Sequence, residues 1–203
     1  MARVKEIPSE KETEMRVIGI DIGTIHCGYG IIEVQGFNSS RVHQRFKEAK
    51  KFNNHSTFKP FNHLTYIASG MIEMNKKDAL PLRLKLLYSS LKKIIDEYRP
   101  SHLCIEKIFY HKSIRSAFTL GGAWGIAMLL AGEFAIPVFE YNPTELKRAL
   151  TGYGRAEKSQ VKEMVIRILG SGRTMNPKLS LDAADALALC ICHINSSNWM
   201  QDT

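Results

Sequence analysis

The sequence predicts an α/β domain. Short β-branched runs of strand length recur along the chain, and longer stretches with helical apolar spacing fall between the later ones. The first two runs lie too close together for a helix to intervene, so they are expected to pair antiparallel. With 203 residues and 44% apolar content, the chain can bury one good core, which points to a single domain with tails and an insertion.

The first strand is predicted over Arg16 to Asp21, inside Val17-Ile-Gly-Ile-Asp-Ile-Gly23, where a β-branched run closes on a carboxylate and a glycine. Ligands of open α/β sheets gather at the carboxyl ends of strands, so Asp21 is a candidate for chemistry or metal binding. A turn aspartate bonded to Gly23 or Thr24 would carry the same residues. Gly23 to Gly28 is read as a turn, Tyr29 to Val34 as the second strand and Tyr66 to Met74 as the third. Between the last two, Gly36 to His63 carries Arg41, Arg45, Lys47, Lys50, Lys51 and Lys59 against the single acid Glu48, with no sustained periodicity. It reads as a mobile basic loop or an extended hairpin, and its uncompensated charge suits phosphate contacts.

Leu84, Leu87, Leu91, Ile94 and Ile95 mark an amphipathic helix over Leu82 to Tyr98, bounded by Pro81 and Pro100. His102 to Ile108 follows as a strand interrupted by Glu106. Buried alone, that carboxylate would need a cation or a cluster of donors. Its alternation with Leu103 and Ile105 is equally compatible with a face turned to water. A second helix is predicted over Ile114 to Phe134. Its small residues Ala117, Gly121 and Gly125 would admit another helix at a dimer seam, or pack on the sheet. Ile136 to Tyr141 is the fifth strand. Asn142-Pro-Thr-Glu145 then supplies an N-cap, a proline at N1 and a capping-box acid for a short helix, Glu145 to Leu150. The loop Thr151-Gly-Tyr-Gly-Arg-Ala-Glu-Lys-Ser-Gln160 opens a helix over Glu157 to Leu169. Lys158 and Ser159 at that start suit a phosphate, although a plain helix start looks the same. Ser180 can cap the last helix, with Asp182 and Asp185 on one face of its first turns. Ala183, Ala184 and Ala186 keep the helix slim enough to lie close to the sheet.

Net charge +8 and a pI near 9.3 favour a polyanionic partner, nucleic acid first. Residues 1–14 are charged, lack the apolar core of a secretory signal and read as a mobile tail; residues 196–203 read as a C-terminal tail. Ala117 to Gly132 is uncharged but shorter than the roughly twenty residues that span a bilayer. No membrane association is expected. Cys27, Cys104, Cys190 and Cys192 sit in apolar runs, as reduced core thiols of a cytoplasmic protein do.

Asp21, Glu106, Asp182 and Asp185 together can form a carboxylate cluster suited to Mg²⁺. No Ser-His-Asp or Cys-His arrangement competes with it. Ile18-Gly-Ile-Asp-Ile-Gly23 with Gly28-Tyr-Gly30, Ile105-Glu-Lys-Ile-Phe109, Pro137-Val-Phe-Glu-Tyr141, Ala156-Glu-Lys-Ser-Gln-Val161 and Asp182-Ala-Ala-Asp-Ala-Leu-Ala188 closely resemble the RuvC family of Holliday-junction resolvases. The resemblance runs from about Met15 to His193, in family order.

The resemblance implies an RNase H-like fold, a mixed five-stranded sheet flanked by helices, and a homodimer that cuts opposed strands of four-way junction DNA in recombination and repair. It makes Asp21, Glu106, Asp182 and Asp185 metal-binding carboxylates for two Mg²⁺ per subunit, with Mn²⁺ able to substitute. It makes Phe109 an aromatic that stacks on a junction base, and Lys147 and Lys158 basic residues near the scissile phosphate. A branch-migration helicase complex is the implied partner. Three points of difference stand out: Ile22 replaces a frequent proline, Asp182 stands where some members place a histidine, and Gly36 to His63 is longer than the family's usual connection. Two other classes share features with the chain. The Asp-x-Gly-Thr turn at Asp21 also resembles the phosphate loop of actin-like ATPases and sugar kinases, which need a second such domain. A non-catalytic junction-binding protein of the same fold would not need all four acids.

Overall fold

The computed structural model describes residues 13–37, 64–107, 114–170 and 178–196. Five strands form one sheet in the order β3-β2-β1-β4-β5: β1 is Thr13–Ile22, β2 His26–Phe37, β3 Leu64–Glu73, β4 His102–Glu106 and β5 Val138–Tyr141. β1 pairs antiparallel with β2, and β2 with β3, while β4 runs parallel to both β1 and β5. The sheet is therefore mixed, and the antiparallel return expected of the first two strands is present. Helices α1 (Leu80–Tyr98), α2 (Ile114–Glu133), α3 (Pro143–Thr151), α4 (Lys158–Leu169) and α5 (Leu181–Asn195) complete the domain.

Boundaries differ from expectation where local chemistry was misread. β1 starts at Thr13, inside the stretch expected to be a tail, because Thr13 pairs with Phe37 across a bulge. The β1–β2 turn shrinks to Gly23–Ile25, since Cys27 and Gly28 already pair with Ile22 and Asp21. α1 begins at Leu80, ahead of Pro81, because proline is tolerated in a first turn whose amides need no partner. β4 ends at Glu106, so the carboxylate terminates the strand and does not interrupt it. The expected capping box of Asn142 with Glu145 forms, Ser180 accepts from the Ala183 amide at 3.2 Å, and Glu157, read as the first residue of its helix, instead caps it in a second box with Gln160. The basic insertion residues Arg41, Arg45, Lys47, Lys50 and Lys51, the aromatic Phe109, residues 1–12 and residues 197–203 lie outside the described residues.

Strand alternation divides the apolar residues between two cores. Ile18, Ile20, Ile31, Leu103 and Ile105 pack under α1 and α2. Val17, Ile32 and Cys104 pack under α3, α4 and α5. Both faces of the central strands are thus covered. That settles the face of Glu106, which shares its side of β4 with fully buried Cys104 and therefore faces the helix layer, not open water.

α5 lies unusually close to the sheet. A Cβ on Gly19 would sit 2.0 Å from the Ala186 carbonyl oxygen, one on Gly28 would sit 2.1 Å from that of Asp182, and one on Gly30 would meet Leu187 Cγ at 2.6 Å. Gly19 and Gly30 are cross-strand partners, as are Asp21 and Gly28. These glycines form a trough for the alanine-rich helix, matching the slim face predicted for it. At the other end of α5, buried His193 bonds through Nε2 to His102 Nδ1 at 2.9 Å and through Nδ1 to the Tyr141 hydroxyl at 2.6 Å. Burial, and then the nearby His102, hold His193 down to about 3, so it stays neutral and the pin persists across the physiological range.

Gly121, Gly125 and Gly132 of α2 do not pack on the sheet, whereas Ala123, Ala127 and Ala131 do. Ile114, Phe118, Gly121, Leu129 and Gly132 are exposed along one face, and a Cβ on Gly121, Gly125 or Gly132 would meet nothing within 4 Å. Packing on the sheet is therefore not what Gly121 and Gly125 do.

The Gly19 contact predicts a specific cost. Gly19→Ala drives a methyl into a backbone carbonyl that cannot rotate away, and overpacking of this kind costs about 1–3 kcal/mol. For a domain of this size the midpoint of thermal unfolding should fall by roughly 2–12 °C. A melting curve that overlays the parent's would show that α5 does not depend on the trough.

Candidate active site

Strand register sets the first pair of acids. The parallel β1–β4 pairing runs from Val17 with His102 to Ile20 with Ile105. Asp21 and Glu106 are the next residues of each strand, on neighbouring parallel strands and on the same face, at the carboxyl edge of the sheet. The helix trough sets the second pair. Gly28, the cross-strand partner of Asp21, lies directly beneath the Asp182 carbonyl. The N-terminal turn of α5 therefore stands beside Asp21, and Asp185 follows three residues on along the same face.

A cation from a third element completes the group. Lys158, the first residue of α4, donates from Nζ to Asp185 Oδ2 at 2.6 Å. The Asp185 side chain is only 15% exposed, whereas that of Lys158 is 58% exposed. This is a charge-assisted bond at the rim of the site. Burial works against the charge of Lys158, but the bond to Asp185 and the fields of Asp185, Asp21 and Asp182 outweigh it and raise its pKa. Lys147, on α3, lies within electrostatic reach of Glu106.

The acids are poorly compensated by the chain itself. Desolvation, followed by repulsion from Asp185, pushes Asp21 up to about 7; Lys158 opposes the shift, while Glu106 and Asp182 add to it. Glu106 is raised too, by burial and then by Asp185, against the pull of Lys158 and Lys147. No amide of the β1–β2 turn satisfies Asp21 among the described residues, so the alternative of a capped turn aspartate is not what forms. The donor set is oxygen only, as hard divalent cations prefer. Among the described residues no three acidic, His or Cys side chains close to the spacing of a formed metal centre. The carboxylates fit such an ion by chemistry and by their unmet charge.

The structure thus brings Asp21, Glu106, Asp182, Asp185, Lys147 and Lys158 to one edge. Sequence reasoning passed over Arg83, whose Nη1 donates to the Thr24 carbonyl at 2.8 Å and ties α1 to the turn after Asp21. Its spacing on α1 is that of an ordinary solvated arginine, and no local signal marks it.

Comparison with known proteins adds an independent line. The family model described as crossover junction endodeoxyribonuclease RuvC matches residues 59–193. A protein of Heliobacterium modesticaldum with that same description is 36% identical over 185 residues, covering 91% of this chain and 97% of the relative. One from Cupriavidus metallidurans is 40% identical over 188 residues, covering 92% and 87% respectively. Among solved structures, Thermus thermophilus RuvC in complex with a Holliday junction substrate superposes with a TM-score of 0.66 at 25% identity, covering 89% of this chain and 93% of that one.

The shift at Asp21 has a measurable consequence without any divalent ion. A carboxyl raised from 3.8 to about 7 binds its proton more tightly folded than unfolded, so folding loses stability as pH rises from about 4 to about 7. Below that window the penalty is absent; above it the penalty is complete, up to about 4 kcal/mol at 1.36 kcal/mol per unit. In EDTA, Asp21→Asn should therefore match the parent near pH 4 and be more stable at pH 8. Equal denaturant midpoints at pH 8 would show that Asp21 is not desolvated.

Proposed function

Because this chain belongs to the RuvC family of crossover junction endodeoxyribonucleases and is a nuclease, we propose that it resolves four-way DNA junctions by divalent-metal-dependent hydrolysis at Asp21, Glu106, Asp182 and Asp185. The observation that carries this reading is the convergence of those four acids, on three elements, at the carboxyl edge of the sheet with Lys158 against them. The four carboxylates would hold two Mg²⁺ ions, with Mn²⁺ as substitute. When bound, the ions supply an activated water and Lewis-acid stabilisation of the phosphate oxygens.

The chain's own groups account for the rest of the reaction. Water oxygen bonds to phosphorus as the bond to the 3′ oxygen breaks, leaving a 3′ hydroxyl and a 5′ phosphate. Negative charge grows on the phosphoryl oxygens as this happens. Lys158 and Lys147, already at the rim, offset it without moving far. The bond from Lys158 to Asp185 keeps the ammonium in place before substrate arrives. Arg83 holds the turn beside Asp21, which limits the drift of that carboxylate.

A junction has two strands to cut, so a two-fold dimer is the economical arrangement. The outward apolar face of α2, with Phe118 77% exposed and room at Gly121 and Gly125 for a close neighbour, supports a homodimer through this helix. The insertion residues Arg41, Arg45, Lys47, Lys50 and Lys51, together with Phe109, are proposed to contact the DNA arms and crossover. The net charge of +8 suits that partner. No helix among the described residues is long and apolar enough to cross a membrane. We place the protein in the cytoplasm, acting on recombination intermediates alongside a branch-migration helicase.

Two measurements test this reading. Labelled four-way junctions incubated with protein and Mg²⁺ should be nicked on opposed strands. Asp21→Asn, Glu106→Gln and Asp185→Asn should each cut at least 100-fold more slowly while still binding junctions. Binding without any cutting by the parent would favour a non-catalytic junction binder. For the dimer, Phe118→Asp should halve the mass seen in sedimentation equilibrium and unpair the two nicks. A parent that sediments as a monomer on junction DNA would refute the paired mechanism.

A further inference from the structure

Among the described Phe, Tyr and Trp side chains, two are more than half exposed, Phe118 on the outward face of α2 and Tyr153 at 59%. Tyr153 sits in the connection between α3 and α4, the segment that joins Lys147 to Lys158. Exposing an aromatic ring costs roughly 1.5–3 kcal/mol relative to burying it, and the loop around it is far from loose.

The backbone under Tyr153 is tied down on both sides. Gly152 adopts φ 75° and its amide donates to the Arg148 carbonyl at 2.9 Å, closing α3 in the left-handed cap that glycine favours. The Tyr153 amide donates to Thr151 Oγ1 at 3.2 Å, and the Thr151 hydroxyl donates to the Lys147 carbonyl at 2.8 Å. The Tyr153 carbonyl accepts from the amide of buried Ala156 at 3.2 Å. A Cβ on Gly154 would lie 2.8 Å from Thr144 Cγ2, so the loop is pressed against the first turn of α3. The ring is thus held out on a tied base in the segment of chain that links Lys147 to Lys158, with exposed Arg155 two residues on. Tyrosine presented this way gives up few degrees of freedom on contact.

We propose that Tyr153 is a stacking residue that takes an unpaired nucleobase of the DNA strand bound across the carboxylates. This rests on the nuclease reading of the site. Rings stack on any base face, so the contact adds affinity without demanding a sequence, while Lys147, Arg155 and Lys158 meet the flanking phosphates. Tyr153 touches neither the reacting atoms nor the acids. Its contribution is to hold a base out of its stack so that the adjoining phosphate reaches the edge of the sheet.

The test uses the full-length protein and its Tyr153→Ala, Tyr153→Phe and Arg155→Ala variants. Binding is read in EDTA on two probes, a four-way junction and a single-stranded oligonucleotide, each carrying 2-aminopurine; junction cutting is read separately in Mg²⁺. Tyr153→Ala should melt like the parent, bind both probes about 5- to 150-fold more weakly and lose fluorescence quenching. Its log–log salt slope should not change, because no charge is removed, whereas Arg155→Ala should flatten that slope by about one unit. Tyr153→Phe should stay within about twofold of the parent. The stacking assignment is overturned if Tyr153→Ala binds and quenches like the parent, or if Tyr153→Phe falls as far as Tyr153→Ala, which would make the hydroxyl the operative group. A parent with no preference for the junction would sink the resolvase reading alone, since the single-stranded probe still judges Tyr153.

Discussion

The absence of side chains at Gly19, Gly28 and Gly30 is the constraint on which the site depends. Helix carbonyls of Ala186 and Asp182 occupy the space where two of those Cβ atoms would be, and Leu187 crowds the third. The helix repeats every four residues or so, and Asp182, Ala186 and Cys190 step down the strand in that rhythm. Cys190 Sγ reaches the Val17 and Gly30 carbonyls at 3.5 and 3.4 Å. Seating α5 this deeply is what carries two aspartates from a distant part of the chain to the edge where β1 and β4 end.

The same seating creates an electrostatic cost. Four carboxylates are gathered where water is partly excluded, and among the described residues two lysines answer them. A protein selected for stability alone would not hold Asp21 in that condition. The neutral His193 pin at the far end of α5 and the apolar core beneath that helix offset the cost by fixing it where repulsion would otherwise push it away. Structure at one end of the helix thereby sustains strain at the other.

Arg83 and the α3–α4 loop extend this division of labour. The first braces the turn after Asp21 from the opposite side of the sheet, and the second holds Lys147 and Lys158 at a set separation through hydrogen bonds of Thr151 and the caps of two helices. The gathered acids and lysines lie along one sheet edge, while the outward stripe of α2 belongs to a different surface. Neither surface compromises the other because they are built from different faces of the sheet.

By itself the sequence determined the five strands, the five helices and their alternation, because strand and helix periods are local and the caps at Asn142 and Ser180 are written in adjacent residues. It also singled out Asp21, Glu106, Asp182 and Asp185, since acids at strand ends and in a slim helix turn are conspicuous against apolar neighbours. It left open whether Glu106 faces water and whether the α2 stripe faces the sheet. Alternation assigns residues to two faces but cannot say what covers either one. Only the tertiary structure decided those points, through Cys104 buried beneath the helix layer and the empty space beside Gly121 and Gly125. It alone also decided that Lys158 reaches Asp185 and Arg83 reaches Thr24, because contacts 27 and 59 residues apart depend on packing between elements and leave no trace in local pattern.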